Sequence, residues 1–226
     1  MAELKVIAKI RTDFPTKFGI PRQSGLAEKL TARIVFEPEY RNDEALRGIE
    51  GFSHLWLIWN FSKAERNTWS PTVRPPRLGG NKRMGVFATR SPFRPNPIGL
   101  SSVKIEGIEK TDEGKVIIVS GADLMDGTPI YDIKPYLPFT DSHPDAKGGF
   151  ADEKFDYSLD VNFPNELLEL ISPDKREGLI DILSQDPRPA YKEESERVFG
   201  FCFSNKEIKF TVADGILTVI SVQDIK

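Results

Sequence analysis

Leu100-Ser-Ser-Val-Lys-Ile-Glu-Gly-Ile108, the turn residues Thr111-Asp-Glu-Gly114 and the answering run Lys115-Val-Ile-Ile-Val-Ser120 decide the fold. Val103 and Ile105 alternate with Lys104 and Glu106, the period-two pattern of a strand with one buried face. The turn and the second apolar run make this a β-hairpin. The same signal recurs on both sides. Val6, Ala8 and Ile10 alternate within 5–11, Ala32 to Glu37 is a strand stopped by Pro38, and Ser53 to Phe61 is apolar on both faces and reads as a buried strand. Asp126-Gly127 is a turn followed by a strand at 130–133. Met84 to Ala88 is short and extended. Between these lie a loop at 13–26, a short helix at 43–49 capped by Asn42, and a proline-broken stretch at 69–80. Many short strands with almost no long helix predict a mainly β chain whose first 140 residues form a closed or nearly closed β-barrel.

The pattern changes further along. Residues 141–154 are polar and hold Pro144, Gly148 and Gly149, the composition of a linker. Beyond them, 155–163 reads as a strand, 165–171 and 173–184 as helices, and 198–203, 207–212 and 216–222 as a meander. Its turns fall at Ser204-Asn205 and Asp214-Gly215. Residues 155–226 are therefore expected to form a separate small α+β domain.

Composition excludes several classes. The chain has 226 residues, 39% hydrophobic and 29% charged, as expected of a globular protein. Its longest apolar run, Leu55 to Phe61, falls far short of the roughly 20 residues that span a bilayer. Residues 1–10 lack a basic stretch followed by an apolar core, so no secretory signal is expected and the location is read as cytoplasmic. A single cysteine, Cys202, cannot form an intrachain disulfide; between Phe201 and Phe203 it reads as a packed small hydrophobe. His54 and His143 with one cysteine make no metal motif, so no metal is expected. His54, amid Phe52, Leu55 and Trp56, reads as a hydrogen-bonded core histidine. There is no GxGxxG motif and no Walker loop.

Function points to residues 83–101. Arg83, Arg90 and Arg94 supply charge while Pro92, Pro95 and Pro97 hold φ and remove backbone donors. A stiff loop bearing guanidinium groups is a pre-organised site for an anion or polar ligand. Net charge is -3, yet 63–94 carries Lys63, Arg66, Arg74, Arg77, Lys82, Arg83, Arg90 and Arg94 against Glu65, a local balance of +7. One basic segment on an acidic chain suggests a face for a polyanion. The competing picture pairs those arginines with acids elsewhere in the fold.

Several motifs align with one family: Pro21-Arg-Gln-Ser-Gly-Leu26, Gly51-Phe-Ser-His-Leu-Trp56, Arg74-Pro-Pro-Arg-Leu-Gly-Gly80, the run from Gly85 to Ser101, Asp126-Gly-Thr-Pro-Ile-Tyr-Asp-Ile-Lys-Pro-Tyr136, and Asp186-Pro-Arg-Pro-Ala-Tyr191. Together they closely resemble the TsaA-like (TrmO) family of tRNA N6-threonylcarbamoyladenosine methyltransferases, over nearly the whole chain. The resemblance implies a β-barrel enzyme dependent on S-adenosylmethionine, a homodimer with the cofactor near the subunit interface, and a tRNA substrate modified beside the anticodon.

Carried over residue by residue, the resemblance implies that Gln23, Ser24, Gly25, Phe61, Arg90, Leu100, Gly127, Thr128, Pro129 and Ile130 contact the cofactor. Without it, 23–25 and 126–127 read equally as plain turns. The threonine carboxylate of the modified base calls for a cation, and Arg94 and Lys134 are the candidates; a structural ion pair is the alternative for either. Asn96 is the candidate for the ureido group, and Asp126 or Asp132 for the N6 proton; loss of that proton to water is the alternative. Arg188 faces either tRNA, or the active site across a dimer, or simply ends a helix. Two rival readings stand beside the enzyme: a nucleic-acid-binding barrel without catalysis, and a barrel binding a small anionic metabolite through Arg90 and Arg94.

Overall fold

The computed structural model describes residues 3–64, 68–75, 82–154, 157–188 and 197–225. The first half is built from β1 (Ala8–Arg11), β2 (Thr31–Phe36), β3 (His54–Asn60), β4 (Thr72–Val73), β5 (Met84–Gly85), β6 (Ile98–Thr111), β7 (Gly114–Ser120) and β8 (Pro129–Pro135). Six of these hydrogen-bond in the order β1-β2-β7-β6-β3-β8, all antiparallel. β8 pairs back onto β1 through Ala8 with Ile130 and Lys9 with Pro129, so the sheet closes on itself. The fold is mainly β, as expected. β6 is the longest strand, and its register shifts against β7 between Ile105 and Gly107, which bends it around the ring.

Alternation fills the ring. Ala8, Ile10, Ile34, Leu55, Leu57, Val103, Ile117, Val119 and Ile130 are buried in one apolar core. β3 differs from its sequence reading: Leu55, Leu57 and Trp59 are buried, while His54, Trp56, Ile58 and Asn60 on the other face are only half-covered. An antiparallel sheet packs its core on one face alone. His54 is thus outside the core, with Nδ1 2.9 Å from the Ser53 hydroxyl. The helix expected at 43–49 is two 3₁₀ turns, Asp43–Leu46 and Ile49–Gly51, because Gly48 takes φ +87° between them. The Asn42 cap is present: its side chain accepts a hydrogen bond from the Glu44 amide. Of 84–88 only Met84 and Gly85 are strand, paired with β4 in a two-stranded ribbon; Val86–Ala88 is a 3₁₀ turn. Residues 76–80 of the proline-broken stretch lie outside the described residues.

α1 (Pro138–Asp141) ends where the segment read as a linker begins, and a 3₁₀ stretch at Gly149–Lys154 lies within that segment. The second half follows as β9 (Asp160–Asn162), α2 (Asn165–Leu168), α3 (Pro173–Ser184), β10 (Phe199–Phe203), β11 (Lys206–Ala213) and β12 (Ile216–Asp224). They form a four-stranded sheet, order β10-β11-β12-β9, with β9 parallel to β12. Both meander turns fall where the sequence places them. Ser204 and Asn205 have φ +47° and +63°, Asp214 and Gly215 +50° and +78°, the left-handed pairs that two-residue hairpins require. β9 is only three residues long. Cys202 is half-buried on the face opposite Phe201 and Phe203, so it is not a core residue.

The second core is not built from the second half alone. Phe14, Ala27 and Leu30 pack with Leu179, Leu183, Phe201, Phe203 and Phe210. Each large apolar side chain buried this way contributes about 1.5–3 kcal/mol. The 13–26 loop and the residues that follow it to Leu30 are therefore a strap between the two sheets. Lys175 Nζ lies 2.5 Å from Asp13 Oδ1, the Ser204 amide donates to the Asp13 carbonyl at 2.9 Å, and Arg22 Nη2 donates to the Asp186 carbonyl at 2.7 Å.

Candidate functional site

The arginine–proline stretch folds back onto itself. The Thr89 hydroxyl donates to the Val86 carbonyl at 2.9 Å, the Ser91 amide to Thr89 Oγ1 at 3.3 Å, and the Phe93 amide to Ser91 Oγ at 3.2 Å. Arg94 Nη1 donates to the Thr89 carbonyl at 2.9 Å, so one guanidinium edge braces the loop that carries Arg90. The Pro97 carbonyl accepts from the Phe61 amide at 2.8 Å and delivers the chain into β6 beside β3. Gly99 leaves room for an indole here. It sits opposite Trp59, and a Cβ at this position would fall 2.2 Å from the indole. Trp59 therefore lies flat on the strand and packs against Phe61, ring centroids 4.2 Å apart.

This arrangement opens a cavity of about 740 Å³ between the start of β6, the end of β3, the 20–23 loop and the 89–94 loop. Six of the expected site residues line it: Gln23, Phe61, Arg90, Arg94, Leu100 and Thr128. Arg90 Nη1 donates to Gln23 Oε1 at 2.6 Å, closing one wall. The Gly25 amide donates to the Gly121 carbonyl at 2.9 Å, which ties the 23–25 loop to the segment entering 122–128. Thr128 is buried and its hydroxyl donates to the Met125 carbonyl.

The remaining expected residues stand elsewhere in the chain. Ser24 lines an adjoining cavity, and Gly25 serves the backbone link just described. Gly127 donates its amide to the Ile10 carbonyl, Pro129 pairs with Lys9, and Ile130 is wholly buried inside the ring. Asp126 accepts from the Thr12 amide at 3.1 Å and lies 3.5 Å from Arg11, so its carboxylate fastens β1. Asp132 and Lys134 pair with each other at 2.7 Å, and Asn96 is exposed; none of the three lines the cavity. Strand alternation explains Asp132 and Lys134: they flank Ile133, which packs against the ring core.

Sequence reasoning missed a buried chain of hydrogen bonds at the cavity floor. Trp59 Nε1 donates to Ser101 Oγ at 3.0 Å, and Ser101 Oγ donates to Asp123 Oδ1 at 2.6 Å. Burial pushes the Asp123 carboxyl above the ordinary aspartate value, against the opposing pull of the Ser101 hydroxyl, Arg90 and the Ser24 backbone. Asp123 sits only three residues before Asp126 in Ala-Asp-Leu-Met-Asp-Gly, and nothing local marks which acid faces inward.

The adjoining cavity, about 1260 Å³, is lined by Arg22, Arg74, Arg83 and Arg90, with Phe87 among its walls. Trp69 and Phe87 approach to 6.2 Å between ring centroids, and Phe87 is 73% exposed. Arg66 and Arg77 of the basic segment lie outside the described residues. Arg188 is engaged within the chain: its Nε and Nη2 hold Asp186 at 2.7 and 2.8 Å, and the Tyr157 hydroxyl donates to the same carboxylate at 3.0 Å. Burial would raise the Asp186 carboxyl, but the Arg188 hydrogen bonds and charge, with Tyr157, outweigh it and hold the group below its ordinary value. Pro189, Ala190 and Tyr191 of that motif lie outside the described residues. Among the described residues no helix is long and apolar enough to cross a membrane, and no cluster of three metal-binding side chains occurs.

The model of the tRNA-methyltransferase O N-terminal domain matches residues 9–142, and that of the TrmO C-terminal domain matches 156–225. The chain belongs to the TrmO family. A tRNA (adenine(37)-N6)-methyltransferase of Escherichia coli is 39% identical over 229 residues, 98% of this chain and 97% of that protein. One of the same name from Eikenella corrodens is 46% identical over 176 residues, 77% of this chain and 99% of the other. A crystal structure of TrmO from Pseudomonas aeruginosa superposes with a TM-score of 0.78 at 33% identity, covering 98% of each chain. The TrmO match extends across both sheets.

Proposed function

We propose that this protein is an S-adenosylmethionine-dependent methyltransferase acting on N6 of an adenosine in tRNA. The observation that carries this reading is the cavity between Trp59, Phe61, Arg90 and Gln23, set in a TrmO-family chain. The cofactor suits these residues. About 740 Å³ is within the range of small-molecule sites. Phe61 and Leu100 offer apolar contact to a purine, Gln23 an amide, and Thr128 a backbone wall. S-adenosylmethionine supplies an electrophilic methyl group on a sulfonium centre, and transfer needs alignment and exclusion of water rather than a protein nucleophile. The ring of strands, which we read as a β-barrel, provides that alignment: β3 and β6 hold Trp59 and Leu100 in register, and the braced 89–94 loop holds Arg90. Ser24, Gly25, Gly127, Pro129 and Ile130 shape the cofactor site from behind through the backbone.

The finer substrate reading is threonylcarbamoyladenosine beside the anticodon. Arg94 is one of three guanidinium groups lining the cavity, with Arg22 and Arg90, and can meet the threonine carboxylate, with five donors of which the loop brace uses one edge. Asn96 lies two residues on. Lys134, Asp132 and Asp126 would join the site only from a second copy, and we read the enzyme as a homodimer; exposed Leu100 and Ile98 at the cavity mouth support a covering surface there. We assign tRNA to the Arg74, Arg83 and Trp69–Phe87 face, and read the enzyme as cytoplasmic. We divide the chain at 1–140, 141–154 and 155–226, a division that the strap of Phe14, Ala27 and Leu30 crosses. The deciding experiment is transfer of labelled methyl groups to tRNA bearing or lacking the threonylcarbamoyl group, with nucleoside mass spectrometry of the product. Equal methylation of both would refute the finer substrate; no methylation of either would refute the enzyme.

A further inference from the structure

Methylation at N6 releases a proton, and among the described residues lining the first cavity Asp123 is the sole carboxylate. The other charged side chains around that cavity are cations: Lys17, Arg22, Lys63, Arg90 and Arg94. Asp126 is occupied by Arg11 and the Thr12 amide, and Asp132 by Lys134.

The hydrogen-bond chain beneath Asp123 has a fixed direction. An indole N–H can only donate. Ser101 Oγ therefore accepts from Trp59 and must turn its own proton toward Asp123 Oδ1, 2.6 Å away. Trp59 and Ser101 are both buried, and each is the other's hydrogen-bond partner here. Oδ1 is thereby held as an acceptor whatever the charge on Asp123. A proton gained at the second oxygen would leave the chain below in place. This is the geometry of a pre-set base.

We propose that Asp123 accepts the proton lost from N6 of the target adenosine during methyl transfer, with Ser101 and Trp59 as positioning residues. The proposal rests on the methyltransferase reading of the cavity. As the N6–CH₃ bond forms, the carbon–sulfur bond breaks with its electron pair going to sulfur, and the N6–H proton passes to the Asp123 carboxylate and later to water. An ordinary aspartate, pKa about 3.9, is a weak base for this. Burial raises Asp123 and improves the match, while the Ser101 hydroxyl, Arg90 and the Ser24 backbone pull in the opposite direction.

Asp123→Asn and Ser101→Ala test the assignment in the full-length protein. Asp123→Asn should lower kcat by about 10²–10⁴-fold, the range for loss of a general base. Its affinity for S-adenosylmethionine by calorimetry should stay within about threefold. Ser101→Ala removes a hydrogen bond to the charged form, so Asp123 should rise further and the acid limb of kcat should move to higher pH. Carboxyl ¹³C NMR of the protein without cofactor should show the same upward movement of the Asp123 titration. A wild type that methylates tRNA beside an Asp123→Asn variant within threefold overturns the proposal alone. A loss of cofactor affinity equal to the loss of kcat/KM makes Asp123 a cofactor-holding group and also overturns it. If Asp123→Asn does not fold, an acid limb and an NMR titration unmoved in Ser101→Ala overturn it. A wild type that transfers no methyl group removes the methyltransferase reading and this proposal together.

Discussion

Gly99→Ala would test how the ring supports the site. The added methyl carbon would lie 2.2 Å from Trp59 Cε2 and 2.4 Å from Cζ2. Carbon atoms rest at about 3.5–4.0 Å, so the indole must retreat by roughly 1.5 Å. It has little room: Trp59 is 6% exposed, Phe61 packs on it at 4.2 Å, and its Nε1 is bonded to Ser101 at 3.0 Å. Overpacking of this kind costs about 1–3 kcal/mol. Loss of the indole–serine hydrogen bond adds about 1 kcal/mol, for a total near 2–4 kcal/mol. For a chain of this size that is a fall in Tm of about 4–16 °C. Differential scanning calorimetry measures it, and methyl transfer should fall with it because Ser101 and Asp123 lose their anchor. A variant with Tm within about a degree of wild type and full activity would refute the claim that Gly99 exists to seat Trp59.

Arg90→Ala should weaken S-adenosylmethionine binding about tenfold by calorimetry while the circular dichroism spectrum is unchanged, since it removes the 2.6 Å bond to Gln23 from one cavity wall. Arg94→Ala should reduce methylation of threonylcarbamoylated tRNA more than it reduces cofactor affinity, and Lys134→Ala should do so only if a second copy completes the site; steady-state kinetics beside calorimetry separates the two. Arg74→Ala with Arg83→Ala should lower tRNA affinity and flatten its salt dependence by about 1.4 in log–log slope, if each meets one single-stranded phosphate. Acid titration should expose Asp186. Its folded pKa lies below the unfolded value of about 3.9, so its stabilisation is complete above that value and is lost as pH falls through the folded one. Arg188→Ala should therefore destabilise the protein at neutral pH and narrow the gap to wild type below about pH 4, read by denaturant midpoints across pH.

Much of the chain was legible because its signals are local. The hairpin of β6 and β7 followed from alternation around Thr111–Gly114, and the turns at 204–205 and 214–215 from residue types that tolerate positive φ. Errors arose where neighbours outside the segment decide. β3 reads as apolar on both faces because Trp56 and Ile58 are large, yet only the closed ring determines which face is covered. The 13–26 segment has the prolines and glycines of a loop, and nothing in it announces that Phe14 will enter a core completed by Phe203, nearly two hundred residues later.

The site divides the same way. The stiffness of the arginine–proline loop, the excess of positive charge from 63 to 94 and the likeness to one methyltransferase family are properties of residue order, and they determine the class of protein. Which side chains meet is a property of pairing across the ring. Register sets Trp59 against Gly99, and Asp123 reaches Ser101 across 22 positions of sequence. A carboxyl three residues from its neighbour in sequence faces a cavity while the neighbour fastens a strand, because burial and partners are assigned by packing between distant segments and not by composition.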